Sequence, residues 1–403
     1  MAKRTSKNTA KKTGKKIARK AIGDVESGGG EAIRPPAPTP MGDLLGHERA
    51  VATLMNALGA ERLHHAWIFS GPEGVGKKTA AVAFASLLLD PSTGPNLTGQ
   101  LEADPDSPVQ TLLRAGTHPD LRLVIKELAR FSEDATLRNR KLTSIPVDVV
   151  REHLIRPAAL AGSMPGGRAS KVFIIDEAEL LAGAAQNAIL KTLEEPPEGT
   201  VVILLTASED RLLPTIRSRC QRVRFGTLDD RAMASWMERP EAGPIRALPE
   251  HERAWLSQFA AGAPGAMLRA AEAGLAAWHG LLEPMLRTVE GGRHDANLAT
   301  RMHKLAQERA EVVANADKRA SKEAANKQAA DDMLRLIASR WRCELQAAAA
   351  RGDNDRAEAV ADTLDFVTDC RRHADSNVNL LFAFERLVSM AADRFAGRAH
   401  VGV

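Results

Sequence analysis

Gly71-Pro72-Glu73-Gly74-Val75-Gly76-Lys77-Lys78-Thr79 is the segment of this chain whose residue types and spacing point most directly to chemistry. Glycines so spaced let backbone N–H groups turn inward around phosphate oxygens, and a helix opening at Lys77 adds the positive end of its dipole. Gly71, Gly74, Gly76 and Lys77 are therefore expected to hold the phosphates of a nucleotide, with Lys77 reaching the β- and γ-phosphates. The next position departs from that pattern. A Ser or Thr there would ligate Mg²⁺, whereas Lys78 has no acceptor and places a charge where the metal would sit. Thr79 comes one residue late, rotated about 100° around the helix; it is kept as a candidate contact to the nucleotide.

A second element sits about 100 residues on. Val172-Phe173-Ile174-Ile175 is an apolar run ending in Asp176-Glu177. One carboxylate near Mg²⁺ and a second to polarise the attacking water is what phosphoryl transfer to water needs at a strand end. Val201–Leu205 leads to Thr206 and Ser208, hydroxyls that either sense a γ-phosphate or serve an ordinary turn. Leu213-Pro214-Thr215-Ile216-Arg217-Ser218-Arg219-Cys220 closes the series.

The elements that must position these residues alternate. Ala66–Phe69, Leu121–Ile125, Val172–Ile175, Val201–Leu205 and Val223–Phe225 read as strands, with a helix over 44–58 before the first and another over Lys77–Leu89 after it. Runs this apolar, separated by helices, predict strands buried on both faces of a parallel sheet, an α/β fold over 41–225 with helices on both sides. The helix before Pro196 should end there, because a residue preceding proline is pushed out of the α region. After Phe225 the strand signal stops. Helices are expected over 228–237, 250–259 and 266–277, then throughout 281–403, where Leu298, Met302, Leu305, Val312 and Ala316, and later Leu380, Phe384, Leu387, Val388 and Ala391, repeat at helical spacing. Between them 317–332 offers only alanine on its apolar side and reads as a solvated or protruding helix.

Composition narrows the function classes. Of the net charge of +4, residues 1–40 carry +7, with ten Lys/Arg against Asp24, Glu26 and Glu31; the remainder is at −3. That tail, rich in lysine, glycine and proline, reads as disordered, either a weak nucleic-acid contact or a solubilising extension. No run is apolar and long enough for a membrane span. Three scattered cysteines fit neither a disulfide framework nor a CxxC site, and they suggest the cytoplasm.

The order of the loop, Asp176-Glu177-Ala178, Ala188-Ile189-Leu190-Lys191-Thr192-Leu193-Glu194-Glu195-Pro196-Pro197 and Ser218-Arg219-Cys220 resembles the AAA+ clamp-loader subunits of bacterial DNA polymerase III. His65-Ala66-Trp67, Thr117-His118-Pro119-Asp120 and Ile145-Pro146-Val147-Asp148 make it more similar to the delta-prime kind than to the motor (tau/gamma) kind. The resemblance covers 41–225 well; beyond that only Gly262-Ala263-Pro264-Gly265-Ala266 matches. It implies a RecA-like P-loop domain (41–225), a helical lid (226–280) and a helical collar used for oligomerisation (281–403). It also implies a place in a hetero-pentamer with motor (tau/gamma) and delta subunits, which opens the sliding clamp and loads it on primed DNA, as part of the polymerase III holoenzyme. In such a subunit Arg219 would act in trans as an arginine finger on a neighbour's γ-phosphate. Two departures matter. The family's four-cysteine zinc module is missing from 91–117, so no zinc is expected there. The arginine that motor subunits place in the lid helix is matched by Gly265. With Lys78, this predicts a subunit without catalytic residues in cis, in which ATP binding stays open but hydrolysis does not. The alternative is a catalytically active motor ATPase of the same loader.

Overall fold

The computed structural model describes residues 33–397 except 98, 133, 135–137, 139–142, 165, 317–321 and 376–378. The tail read over 1–32 lies outside the described residues. Residues 33–40 are extended, and Ile33 packs against the core, so the packed chain reaches back before Met41.

The chain folds as two units. One holds the sheet and runs to Gly243, with Gly262–Ala266 added; the other holds Pro244–Ala261 and everything from Met267 on. In the first, α1 (Glu48–Gly59) precedes β1 (Ala66–Ser70), and α2 (Lys77–Leu89) follows it. A short hairpin of β2 (Gly94–Pro95) and β3 (Leu101–Glu102) and the helix α3 (Pro108–Arg114) lead to β4 (Leu121–Val124). Next come α4 (Val147–Val150), which continues through a π-helical turn at Arg151–Ile155, then β5 (Lys171–Ile175) and α5 (Gly183–Glu194). The unit is completed by β6 (Thr200–Thr206), α6 (Pro214–Arg217), β7 (Gln221–Arg224) and α7 (Asp230–Met237).

The five long strands form a parallel sheet in the order β4-β5-β6-β1-β7. Their continuous apolar runs are explained by the two cores they separate. Trp67, Phe69, Val172, Ile174, Ile203 and Leu205 point to the face covered by α2, whereas Ala66, Ile68, Phe173, Ile175, Val202 and Leu204 point to the face covered by α4 and α5. Helix α2 starts at the expected residue, and every residue from Ala80 to Leu89 is buried. All C-terminal strand ends lie on one edge, the place where open parallel sheets bind ligands.

The second unit is helical. It consists of α8 (Glu250–Ala260), the end of a helix spanning Pro264–Ala273, α9 (Leu275–Glu290), α10 (Leu298–Ala316), α11 (Lys322–Arg351), α12 (Asn354–Asp375) and α13 (Leu380–Phe395). Leu298, Met302, Leu305, Phe384, Leu387, Val388 and Ala391 are buried as their spacing predicts, but Val312 is 61% exposed. No helix among the described residues is long and apolar enough to cross a membrane.

Residues 91–117, to which no element was assigned, fold as the β2–β3 hairpin and α3, with Ser107 capping α3 by accepting from Gln110 N at 3.0 Å. Two expectations differ from the structure. The helix expected over 266–277 is broken: Gly274 takes a left-handed φ of 72°, and α9 begins only after it. The described start of α11 does not protrude. Ala325, Ala329 and Ala330 are buried, because a small side chain lets neighbouring helix backbones approach.

Candidate functional site

The loop between β1 and α2 is shaped by the conformations its glycines adopt. Gly71, Gly74 and Gly76 have φ of +150°, +78° and +107°. A Cβ on Gly71 would lie 2.0 Å from the Phe225 carbonyl oxygen. One on Gly74 would lie 2.3 Å from Ala266 N. No other residue fits either place. Gly71 N donates to the Thr206 carbonyl (3.2 Å), and His47 Nε2 donates to the Val75 carbonyl (2.7 Å), so the loop is braced from β6 and from the segment before α1. Lys77 folds back onto this loop and donates to the carbonyls of Gly71 (2.6 Å) and Pro72 (2.7 Å). Gly265 sits directly on the loop, donating from its N–H to Gly74 O at 2.8 Å. A Cβ there would come within 2.8 Å of Gly74 Cα, which gives a steric reason why no arginine stands at this position.

The end of β5, on the far side of β6 from β1, brings the carboxylates. Asp176 follows β5, and Lys78 Nζ lies 2.6 Å from its Oδ2. Glu177, in a left-handed conformation at φ 51°, pairs through Oε2 with Lys126 Nζ at 2.7 Å. Each carboxylate thus has its own lysine. Thr79 is exposed on α2, and the residue that meets Asp176 is Lys78. Thr206 is 1% exposed, and its Oγ1 accepts from Ser208 N at 3.0 Å, which is a local turn bond. The first turn of α2 offers N–H groups that helix geometry leaves without intrahelical acceptors, and with the glycine loop and Lys77 this fits a polyphosphate. It does not fit a divalent metal, because an ammonium group already occupies Asp176 and the hydroxyl ligand after Lys77 is missing. Among the described residues no cluster of three or more His, Cys, Asp or Glu could hold a metal ion.

Arg219 lies elsewhere. Gln221 pairs with Trp67 at the start of β1, while Phe225 N donates to Ser70 O beside the loop. The rise per residue puts these two levels about 13 Å apart, and Arg219 precedes Gln221. Its guanidinium pairs with Glu194 Oε1 at 2.7 Å and donates to the Thr215 carbonyl at 2.9 Å, with 35% of the side chain exposed. The next residue, Cys220, packs against the core, and burial pushes its thiol up to about 12 despite Arg222 nearby. Sequence reasoning missed His47 and Lys126. Lys126 carried a usable signal, since it directly follows the strand parallel to β5 and so falls level with Asp176-Glu177.

The family model described as "DNA polymerase III, delta subunit" matches residues 46–229. The delta' subunit of DNA polymerase III from Pseudomonas aeruginosa is 33% identical over 222 residues, 54% of this chain and 58% of that protein. The gamma/tau subunit from Mycobacterium tuberculosis is 32% identical over 202 residues, 50% of this chain and 31% of that protein. This chain therefore spans well under two thirds of either relative. A solved gamma subunit-related protein of DNA polymerase III from Thermotoga maritima aligns with 85% of this chain and 99% of its own at 19% identity, with a TM-score of 0.36. Over 46–229 the sheet-bearing part of the chain is similar in sequence to the delta', gamma and tau subunits of DNA polymerase III, a clamp-loader likeness.

Proposed function

We propose that the chain is a delta-prime-like clamp-loader subunit that does not hydrolyse ATP itself and offers Arg219 to a neighbouring motor (tau/gamma) subunit. The assembly would be a hetero-pentamer that also contains a delta subunit and loads a sliding clamp on primed DNA in the cytoplasm. The observation that carries the non-hydrolysing part is the 2.6 Å pair between Lys78 and Asp176. Hydrolysis needs a carboxylate near the metal and another polarising the water, and here both are engaged by lysines. The Arg219 part is supported by its placement. It stands at the opposite end of β1 and β7 from its own loop, partly exposed and held by surface groups, as an arginine serving another subunit would be. A guanidinium so delivered stabilises charge on a transferring phosphoryl group.

The motor-ATPase alternative is favoured by the intact Gly71–Lys77 loop and by the gamma/tau names among the relatives. Phosphate release by the purified chain with ATP and Mg²⁺ separates the two. The proposal expects none above background. Sustained Mg²⁺-dependent turnover would establish the motor reading instead.

A further inference from the structure

We infer that Lys78 and Lys126 together replace the divalent cation of this site, so that the loop binds a nucleoside polyphosphate without metal. The two ammonium groups sit on the two carboxylates that would otherwise surround the ion, at 2.6 Å on Asp176 and 2.7 Å on Glu177. Charge supports the substitution. Lys77, Lys78 and Lys126 against Asp176 and Glu177 leave one net positive charge. One lysine and one divalent cation against the same two carboxylates would leave the same. Glu73, on the loop itself, enters both reckonings alike. Without the two added lysines and without metal, the carboxylates would repel a polyphosphate bound at the adjoining helix N-terminus.

The partners are also placed as a permanent cation should be. Lys78 is the second residue of α2, tethered to the loop, and Lys126 follows β4, the neighbour of β5. Both side chains keep part of their surface, 43% and 24%, so each ammonium can still turn a hydrogen toward an anion while holding its carboxylate. A lysine is a point charge with three donors, suited to this double use. The inference rests on reading the loop as a nucleotide site, and it is independent of whether ATP is turned over.

The test is equilibrium binding of a fluorescent ATP analogue to the full-length chain, in Mg²⁺ and again in EDTA. The wild type should bind with the same affinity, within about threefold, in both. Lys78→Thr restores a hydroxyl and frees Asp176. It should lose about tenfold or more in EDTA, the scale of one charge-assisted hydrogen bond, and recover affinity when Mg²⁺ is added. Asp176→Asn should move the other way and tighten binding in EDTA. Lys126→Gln, in a different element, repeats the Lys78 result should that variant fold poorly by circular dichroism. Wild-type binding that collapses in EDTA overturns the inference while leaving the non-hydrolysing reading intact. Absence of binding in both buffers overturns it together with the nucleotide reading of the loop.

Discussion

Asp90 follows the last residue of α2 and is 1% exposed, and its carboxylate holds the segment that follows. Oδ1 accepts from Ser92 N (2.9 Å) and Ser92 Oγ (2.7 Å); Oδ2 accepts from Ser107 Oγ (2.5 Å) and Gln110 Nε2 (3.0 Å). One buried anion therefore ties the end of α2 to the hairpin and to the cap and first turn of α3. Asp90→Ala strips the acceptor from every one of these donors. Hydrogen bonds to a charged group are worth about 1.5–3 kcal/mol each. These four share two oxygens and one neighbourhood, so they do not add. A loss of about 3–5 kcal/mol is expected, a large part of a domain's total of about 5–15 kcal/mol. Amide hydrogen exchange read separately in α3 and in β1 is the suitable assay, because a chain with two units need not unfold in one step. Protection in α3 should fall by about a hundredfold or more, with a smaller fall in β1. Protection in α3 within threefold of wild type would mean that Asp90 does not hold this segment.

The same group makes a pH prediction. Burial alone would raise the Asp90 pKa, but hydrogen bonds from Ser107, Ser92 and Gln110 outweigh it and hold the carboxyl below the ordinary aspartate range. A depressed native value means that its stabilisation is complete above the unfolded pKa of about 3.9 and is lost as pH falls through the native value. The stability gap between wild type and Asp90→Ala should close in that acidic window, and a gap that widens there would contradict the assignment. Gly265→Arg should lower the melting temperature, since its Cβ would meet Gly74 backbone at 2.8 Å and overpacking of this kind costs about 1–3 kcal/mol; an unchanged melt would show that the segment yields freely. Glu194→Gln removes a half-exposed partner of Arg219, with side-chain exposures of 35% and 47%. It should change stability by no more than about 1 kcal/mol in urea titration, and a larger loss would mean that Arg219 is structural. Burial pushes the Cys220 and Cys370 thiols up to about 12, so alkylation at neutral pH should reach both only on unfolding. Rapid labelling of either in the native chain, read by mass spectrometry, would contradict that environment.

How much was legible depended on whether the signal was local. The five strands, the start of α2 at Lys77 and the end of α5 before Pro196 follow from apolar runs, glycine spacing and proline sterics, which act within a few residues. Lys78 was visibly out of place in the sequence. That it lands on Asp176 was not, because the pair closes only when the sheet brings the end of β5, across β6, within reach of the first turn of α2. Lys126 and His47 were missed for the same reason: their partners Glu177 and Val75 are 51 and 28 residues away. No element was assigned within 91–117, because its organiser, Asp90, lies just outside it and is a common residue. Alanines at 325, 329 and 330 misled in the opposite direction, since a weakly apolar stripe can still be buried where helices pack closely.

The proposed role of Arg219 is to serve an ATP site that its own chain does not contain. The direct measurement is DNA- and clamp-stimulated ATP turnover of the reconstituted loader carrying Arg219→Ala, with assembly verified by native mass. The complex should stay intact while turnover at the one neighbouring site falls by about 10³, the scale of an arginine finger. Lys77→Ala in this chain should leave turnover nearly unchanged. Undiminished turnover with Arg219→Ala, or turnover abolished by Lys77→Ala in an intact complex, would contradict that role.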